Sequence, residues 1–232
     1  SRFGFYCVMG PDEFQMMVNH NTYTNYLAKK TFLFTLEVGK LLKEKGVKYF
    51  ETLKKVGLGE DFFEKIKTAA DKMLILYDPK TELFEQHQGY FDLPHIDVDS
   101  IPVTEFPLYK NWSYDRIYRN DMIKQPDVLM FLFLYNQEFP LSVKKANYEF
   151  YEPRCIHESS LSPSIHSILA AEIGKTAEAL AFFEFATRLD LDDYNRNAEE
   201  GLHLTSIAAA WMNIVYGFGG LRSDGEILSL NP

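Results

Sequence analysis

The chain has 232 residues, of which 46% are hydrophobic, 15% aromatic and 25% charged, enough apolar material for one sizeable core and too much for a disordered segment. Acidic residues outnumber basic ones, 33 to 24, for a formal net charge of -9. The broad basic field of a general nucleic-acid or anionic-membrane binder is therefore missing, and any anion has to be held by a local site.

Cys7 and Cys155 lie far apart without metal-ligand spacing, which points to neither a disulfide framework nor a zinc site. The most apolar run, Val128 to Tyr135, is too short to span a bilayer, and no signal-peptide pattern is visible, so a cytoplasmic protein is expected. The start at Ser1-Arg2-Phe3, close to a functional-looking turn, reads as a fragment of a longer protein.

That turn is Gly10-Pro11-Asp12-Glu13. Glycine permits unusual backbone angles, proline fixes φ, and the acidic pair falls near the N-terminal end of the helix that follows. Glu13 is either a carboxylic acid placed to donate a proton or, with Asp12, a complement to the helix dipole. From Asn21 to Lys45, apolar residues recur at helical spacing and Gly46 is the stop. A second helix begins near residues 59–61 and carries Phe62 to Leu76 before Asp78-Pro79 ends it. Leu83 to Ile123 is broken by prolines 94, 102 and 107 yet rich in aromatics, so it reads as a long ordered loop packed over something.

Helices resume over Pro126 to Gln137, apolar all round and hence buried, and over Leu141 to Tyr151. Ser162-Pro163, as N-cap and first helical residue, opens a helix to Gly174, Lys175-Thr176 another to Leu189, and the last spans Leu204 to Tyr216. Strand signals are scarce. The fold class is all-α, with helices in pairs and a single domain over 1–232.

Arg154-Cys155-Ile156-His157-Glu158-Ser159-Ser160 just ahead of a helix start suits either an oxyanion cradle or a heavily furnished N-cap. His203, before a helix with Thr205 and Ser206 in its first turn, could face the same anion or be a structural histidine. Lys124-Gln125 pairs a cation with an amide able to hold sugar hydroxyls. Asp190 to Asn197 lacks the glycine and terminal glutamate of an EF-hand and reads as an acidic loop. Walker, dinucleotide, nucleophile-elbow and paired zinc motifs are absent from the sequence.

Four spaced segments carry a family pattern: Gly-Pro-Asp-Glu-Phe at 10–14, Lys-Gln-Pro-Asp-Val-Leu at 124–129, His-Glu-Ser-Ser-Leu-Ser at 157–162, and Glu-Gly-Leu-His at 200–203 with Gly-Phe-Gly-Gly-Leu-Arg at 217–222. Collinear over essentially the whole chain, they resemble glycoside hydrolase family 65, inverting α-glucoside phosphorylases that act on disaccharides such as maltose, kojibiose, nigerose and trehalose. The resemblance implies part of an (α/α)6 barrel, the C-terminal portion of the catalytic domain, with a β-sandwich domain and a C-terminal β domain belonging to the full protein. It implies that Glu13 is the general acid, that Lys124 and Gln125 bind the glucosyl unit, and that Ser159, Ser160 and His203 bind phosphate, with Arg154 and His157 as further candidates.

The products would be β-glucose 1-phosphate and a free sugar. The partners would be an α-glucosyl disaccharide and inorganic phosphate as co-substrate, with no metal or other cofactor, no nucleic acid or membrane, and a homodimer for the full-length enzyme. Glu13 would need a pKa raised by burial and by negative charge from Asp12 or phosphate. Two rivals stay open: an acid trehalase-like hydrolase of the same fold, using Glu158 as base, and a non-catalytic sugar-binding or scaffold fragment.

Overall fold

The computed structural model describes residues 2–232 apart from 47, 60, 195 and 224. Its first helix, α1 (Thr22–Glu44), starts where the sequence indicates because Asn21 Oδ1 accepts the Thr24 N–H at 2.8 Å. After Gly46 the chain forms a short helix with no sequence counterpart above, α2 (Tyr49–Lys55), and then α3 (Phe62–Lys72). The close approach of α3 to α1 uses Gly39, where a Cβ would come within 2.4 Å of the Phe63 ring.

The helix expected to run to Leu76 ends at Lys72. Phe3 donates its N–H to Lys72 O and accepts from Leu74 N–H, which draws the chain into an extended path. That path leads into a two-stranded antiparallel hairpin, β1 (Tyr77–Asp78) and β2 (Leu83–Phe84).

Residues 85–127 form the ordered loop, with short 3-10 turns and the one-turn helices α4 (Leu108–Asn111) and α5 (Tyr114–Ile117). It packs through its own cluster: Leu108, Trp112, Ile117 and Met122 close on Phe14 of the acidic turn and on Ile156.

The buried apolar run is α6 (Val128–Leu134), followed by α7 (Leu141–Tyr151). Helix α8 (Ser162–Glu172) is buried over its first nine residues, whereas α9 (Thr176–Arg188) buries only Ala179 and Ala186 and so forms the outer member of the pair. Helix α10 (Leu204–Met212) continues into a π-helical turn, Asn213–Phe218, and the chain ends in a second small hairpin, β3 (Arg222–Ser223) with β4 (Leu228–Ser229).

The main core joins Tyr26 of α1, Phe84, Leu129 and Phe131 of α6, Tyr148 and Tyr151 of α7, and Leu169 of α8. Successive packing of α3 on α1, α1 on α6, α6 on α8 and α8 on α9 and α10 makes an open arc of paired helices among the described residues, part of a barrel with no closed ring. Glu172 of α8 ties this arc from within. It pairs with Lys144 of α7 at 2.6 Å, accepts from Asn136 at 2.6 Å, and meets Arg222 of the C-terminal hairpin at 3.3 Å.

Candidate functional site

Two helix starts converge under the acidic turn. Asn21, the N-cap of α1, donates its side-chain amide at 3.0 Å to Asp127, the N-cap residue of α6. Gly10 passes directly over this pair, and a Cβ there would lie 2.3 Å from Asp127 Oδ2 and 2.6 Å from Asn21 Nδ2. The glycine is thus required for space; its φ is not in the left-handed region, contrary to the turn logic of the sequence.

Asp12 is fully buried. One oxygen accepts the N–H groups of Phe14 at 3.1 Å and Lys124 at 2.9 Å, and the other accepts Gln86 Nε2 at 2.9 Å. Burial pushes this carboxyl up to about 6, and the same burial, with the charge of Asp12 nearby, raises Asp127 well above the usual carboxylate range.

Glu13 is half exposed and does not sit at a helix N-terminus, since α1 begins only at Thr22. Its N–H donates to Gln125 Oε1 at 3.1 Å, and its Oε2 accepts from Lys124 Nζ at 2.6 Å and Gln125 Nε2 at 2.7 Å. These bonds, Lys124 first, hold the Glu13 carboxyl below its ordinary value. The expectation of a raised pKa is corrected for the unliganded chain: Asp12 takes the burial, and Glu13 takes the cation. Lys124 also lies 5.2 Å from the centre of the Tyr109 ring.

At the serine-rich segment, Ser162 is the first residue of α8; Leu161 is the N-cap, with no side-chain cap bond. Ser159 instead accepts the Leu161 N–H on its hydroxyl at 3.2 Å, and Ser160 Oγ lies 3.1 Å from Thr205 Oγ1 in the first turn of α10. The starts of α8 and α10 therefore do meet. His203 is held by Asp190, which takes its Nδ1 at 2.5 Å and its backbone N–H at 2.8 Å, while Nε2 faces Asn197 Nδ2 at 3.3 Å.

Two of the candidates lie elsewhere. Arg154 donates to Asp121 at 2.8 Å and to the Phe150 carbonyl at 2.6 Å, its guanidinium packed 3.9 Å from the Phe150 ring centre, so it braces the loop rather than the serines. His157 turns inward, 3.1 Å from Ser162 Oγ and against His166 and Phe182, where burial lowers it to about 3 and keeps it uncharged. An imidazole without charge is a poor counterion.

Glu158, the rival base, accepts the Leu108 N–H at 2.5 Å on one oxygen, and its other oxygen is buried with no partner among the described residues. Burial raises its pKa. A cavity of about 490 Å³ is bordered by Tyr109, whose ring lies near Lys124, by Glu158, and by Asn197, which faces His203. Cys155, His157 and His166 also bring one donor atom each to within 4.8 Å of one another, and burial favours the neutral form of all three.

Sequence reasoning missed the network beneath Glu13. Asp12, Gln86 and Asp127 come from three separate segments, and only the Gly-Pro-Asp-Glu and Gln-Pro-Asp strings hinted that their aspartates mattered.

Comparison with known proteins places the chain. Residues 1–212 match the glycosyl hydrolase family 65 central catalytic domain. The chain is 42% identical to an α,α-trehalose phosphorylase of Thermoanaerobacter brockii, over 100% of this chain and 30% of that protein. It is 40% identical to a maltose phosphorylase of Bacillus subtilis (strain 168), over 97% of this chain and 29% of that protein. A solved structure named "Putative kojibiose phosphorylase from human microbiome" superposes with a TM-score of 0.93 at 60% identity, covering 100% of this chain and 32% of that one. The chain spans about 30% of the length of the curated relatives it matches.

Proposed function

This chain belongs to glycosyl hydrolase family 65, and from that membership we propose that the intact protein is an inverting disaccharide phosphorylase, splitting an α-linked glucose disaccharide with phosphate. In this reading phosphate attacks the anomeric carbon from the face opposite the leaving group. The bond from that carbon to the glycosidic oxygen breaks, and Glu13 gives its proton to the departing oxygen, leaving β-glucose 1-phosphate and a free sugar. Phosphate arrives already nucleophilic, so one carboxylic acid suffices, whereas an inverting hydrolase needs a second carboxylate to activate water.

The observation that carries this reading is the state of the two glutamates. Glu13 lies half exposed beside Lys124 and Gln125, while Glu158 has one oxygen fastened to the Leu108 backbone N–H and the other buried. Ser159, Ser160 and His203 are the proposed phosphate ligands, supported by the meeting of two helix starts through Ser160 and Thr205.

Lys124 and Gln125 are proposed to bind the glucosyl hydroxyls, which gives the low pKa of Glu13 a use. As a bound sugar takes these donors, Glu13 loses the bonds that favour its charged form and takes up a proton. The basic limb of kcat, which reports the bound complex, should then lie at higher pH than that of kcat/KM, which reports the free enzyme. Coincident limbs would remove the coupling.

The direct test is a panel of α-glucobioses given to the intact enzyme with and without inorganic phosphate. Phosphorolysis requires phosphate for sugar release and yields the β-phosphate; release of glucose without phosphate would instead establish the hydrolase. The homodimer carries over from the family resemblance alone. No helix among the described residues is long and apolar enough to cross a membrane.

A further inference from the structure

We propose that Asp12 is a positioning residue for the acid: its buried carboxylate fastens the 10–14 turn to segment 124–127, so that Glu13, Lys124 and Gln125 are carried as one rigid unit. The proposal rests on the reading of Glu13 as the general acid.

The geometry is reciprocal. A single oxygen of Asp12 accepts the N–H of Phe14, the residue after the acid, and the N–H of Lys124, the cation that holds the acid, at 3.1 and 2.9 Å. In the other direction the Glu13 N–H donates to Gln125 Oε1 at 3.1 Å. Each segment both gives and receives, so neither slides along the other without breaking several buried bonds at once. Gly10 lets the turn press closely onto Asp127, and Phe14 anchors its far end in the loop cluster.

Stability does not explain a carboxylate here. Burial favours the uncharged form of Asp12, so its charge at neutral pH works against the fold. What the side chain supplies is a doubly accepting oxygen at the point where two segments more than a hundred residues apart have to keep register. Removing it leaves two buried N–H groups without their acceptor next to the acid. An asparagine keeps the accepting oxygen, and Gln86, whose Oε1 has no partner among the described residues, can turn its amide to accept from the new Nδ2.

The experiment measures phosphorolysis and thermal unfolding of the intact enzyme for wild type, Asp12→Ala, Asp12→Asn and Glu13→Gln. Misplacing a reacting group by about an ångström costs on the order of 100-fold, so Asp12→Ala should lower kcat by about 10- to 100-fold without a matching fall in melting temperature. Asp12→Asn should restore kcat to within about threefold, because the accepting oxygen returns. Wild-type kcat in Asp12→Ala, or equal damage in both variants, would overturn the proposal, the latter by making charge the relevant property.

Glu13→Gln separates the two levels. If it turns over like wild type, the acid assignment falls whatever Asp12 does. If it is dead while Asp12→Ala is not, only the positioning role falls. Should Asp12→Ala not fold, amide exchange in the wild-type enzyme decides: the Phe14 and Lys124 N–H groups should exchange slowly and together, and fast or independent exchange would sink the idea.

Discussion

Glu13 and Ser160 are held in opposite ways. Glu13 sits on a turn whose backbone and side chain are bonded to residues 111 and 112 positions away, over a floor of two buried aspartates. Ser160 lies just ahead of α8, and its side-chain link is one hydroxyl contact to Thr205 on α10. The proposed acid is thus fixed by many bonds converging from distant segments, whereas the proposed anion end is placed by where two helices begin. A group that has to deliver a proton along one line needs the first kind of support. A bound tetrahedral anion, which several donors share, tolerates the second.

The largest expected effect strikes the proposed acid itself. Glu13→Gln keeps the size and much of the hydrogen bonding but removes the proton, and kcat for phosphorolysis should fall by about 10²- to 10⁴-fold. An unchanged rate in the intact enzyme would end the comparison by removing its first member.

Next comes the floor. Folded Asp12 titrates near 6, above its ordinary 3.8, so its contribution favours folding below about pH 4 and is lost as pH rises through 6. Asp12→Asn has no such loss. Its stability relative to wild type should change little near pH 4 and rise by up to about 3 kcal/mol by pH 7, read from denaturant unfolding at both pH values. A flat difference across that range would mean that Asp12 is not the strained carboxyl.

Gly10→Ala tests the same floor by steric means. The added methyl meets Asp127 at 2.3 Å, so the turn has to lift, destabilising the fold by about 2 kcal/mol and lowering kcat. Wild-type stability and rate would show that the turn yields freely, and the contrast with the anion end would blur.

Legibility from the sequence follows the same division. Helix α1, with its Asn21 cap, and α7, with bounds matching its expected range, were readable because caps and apolar spacing are local. The anion end was partly readable for the same reason, since a serine-rich run before Pro163 signals a helix start without any partner. What failed depended on distant residues. The end of α3 is set by pairing with Phe3, and α2 buries none of its residues, so no apolar stripe announced it. The pKa of Glu13 was expected to be raised by burial and by negative charge from Asp12 or phosphate; in the structure Asp12 takes the burial and Lys124, 111 residues on, lowers Glu13 instead.

The smallest expected effect is the sharpest probe of the anion end. If Ser160 gives phosphate one charge-assisted hydrogen bond, Ser160→Ala should raise KM for phosphate by about tenfold. KM for the disaccharide and the melting temperature should stay near wild type, because the link to Thr205 joins two exposed hydroxyls that water can satisfy. Thr205→Ala breaks the same link while leaving Ser160 in place, so it separates ligand from brace. A phosphate effect in Ser160→Ala alone marks the hydroxyl as a ligand. Equal losses of melting temperature in both variants, with KM for phosphate unmoved, would make the pair a helix-to-helix brace and would leave His203, held on one side by Asp190 with Nε2 turned toward Asn197, as the next group to test for the anion.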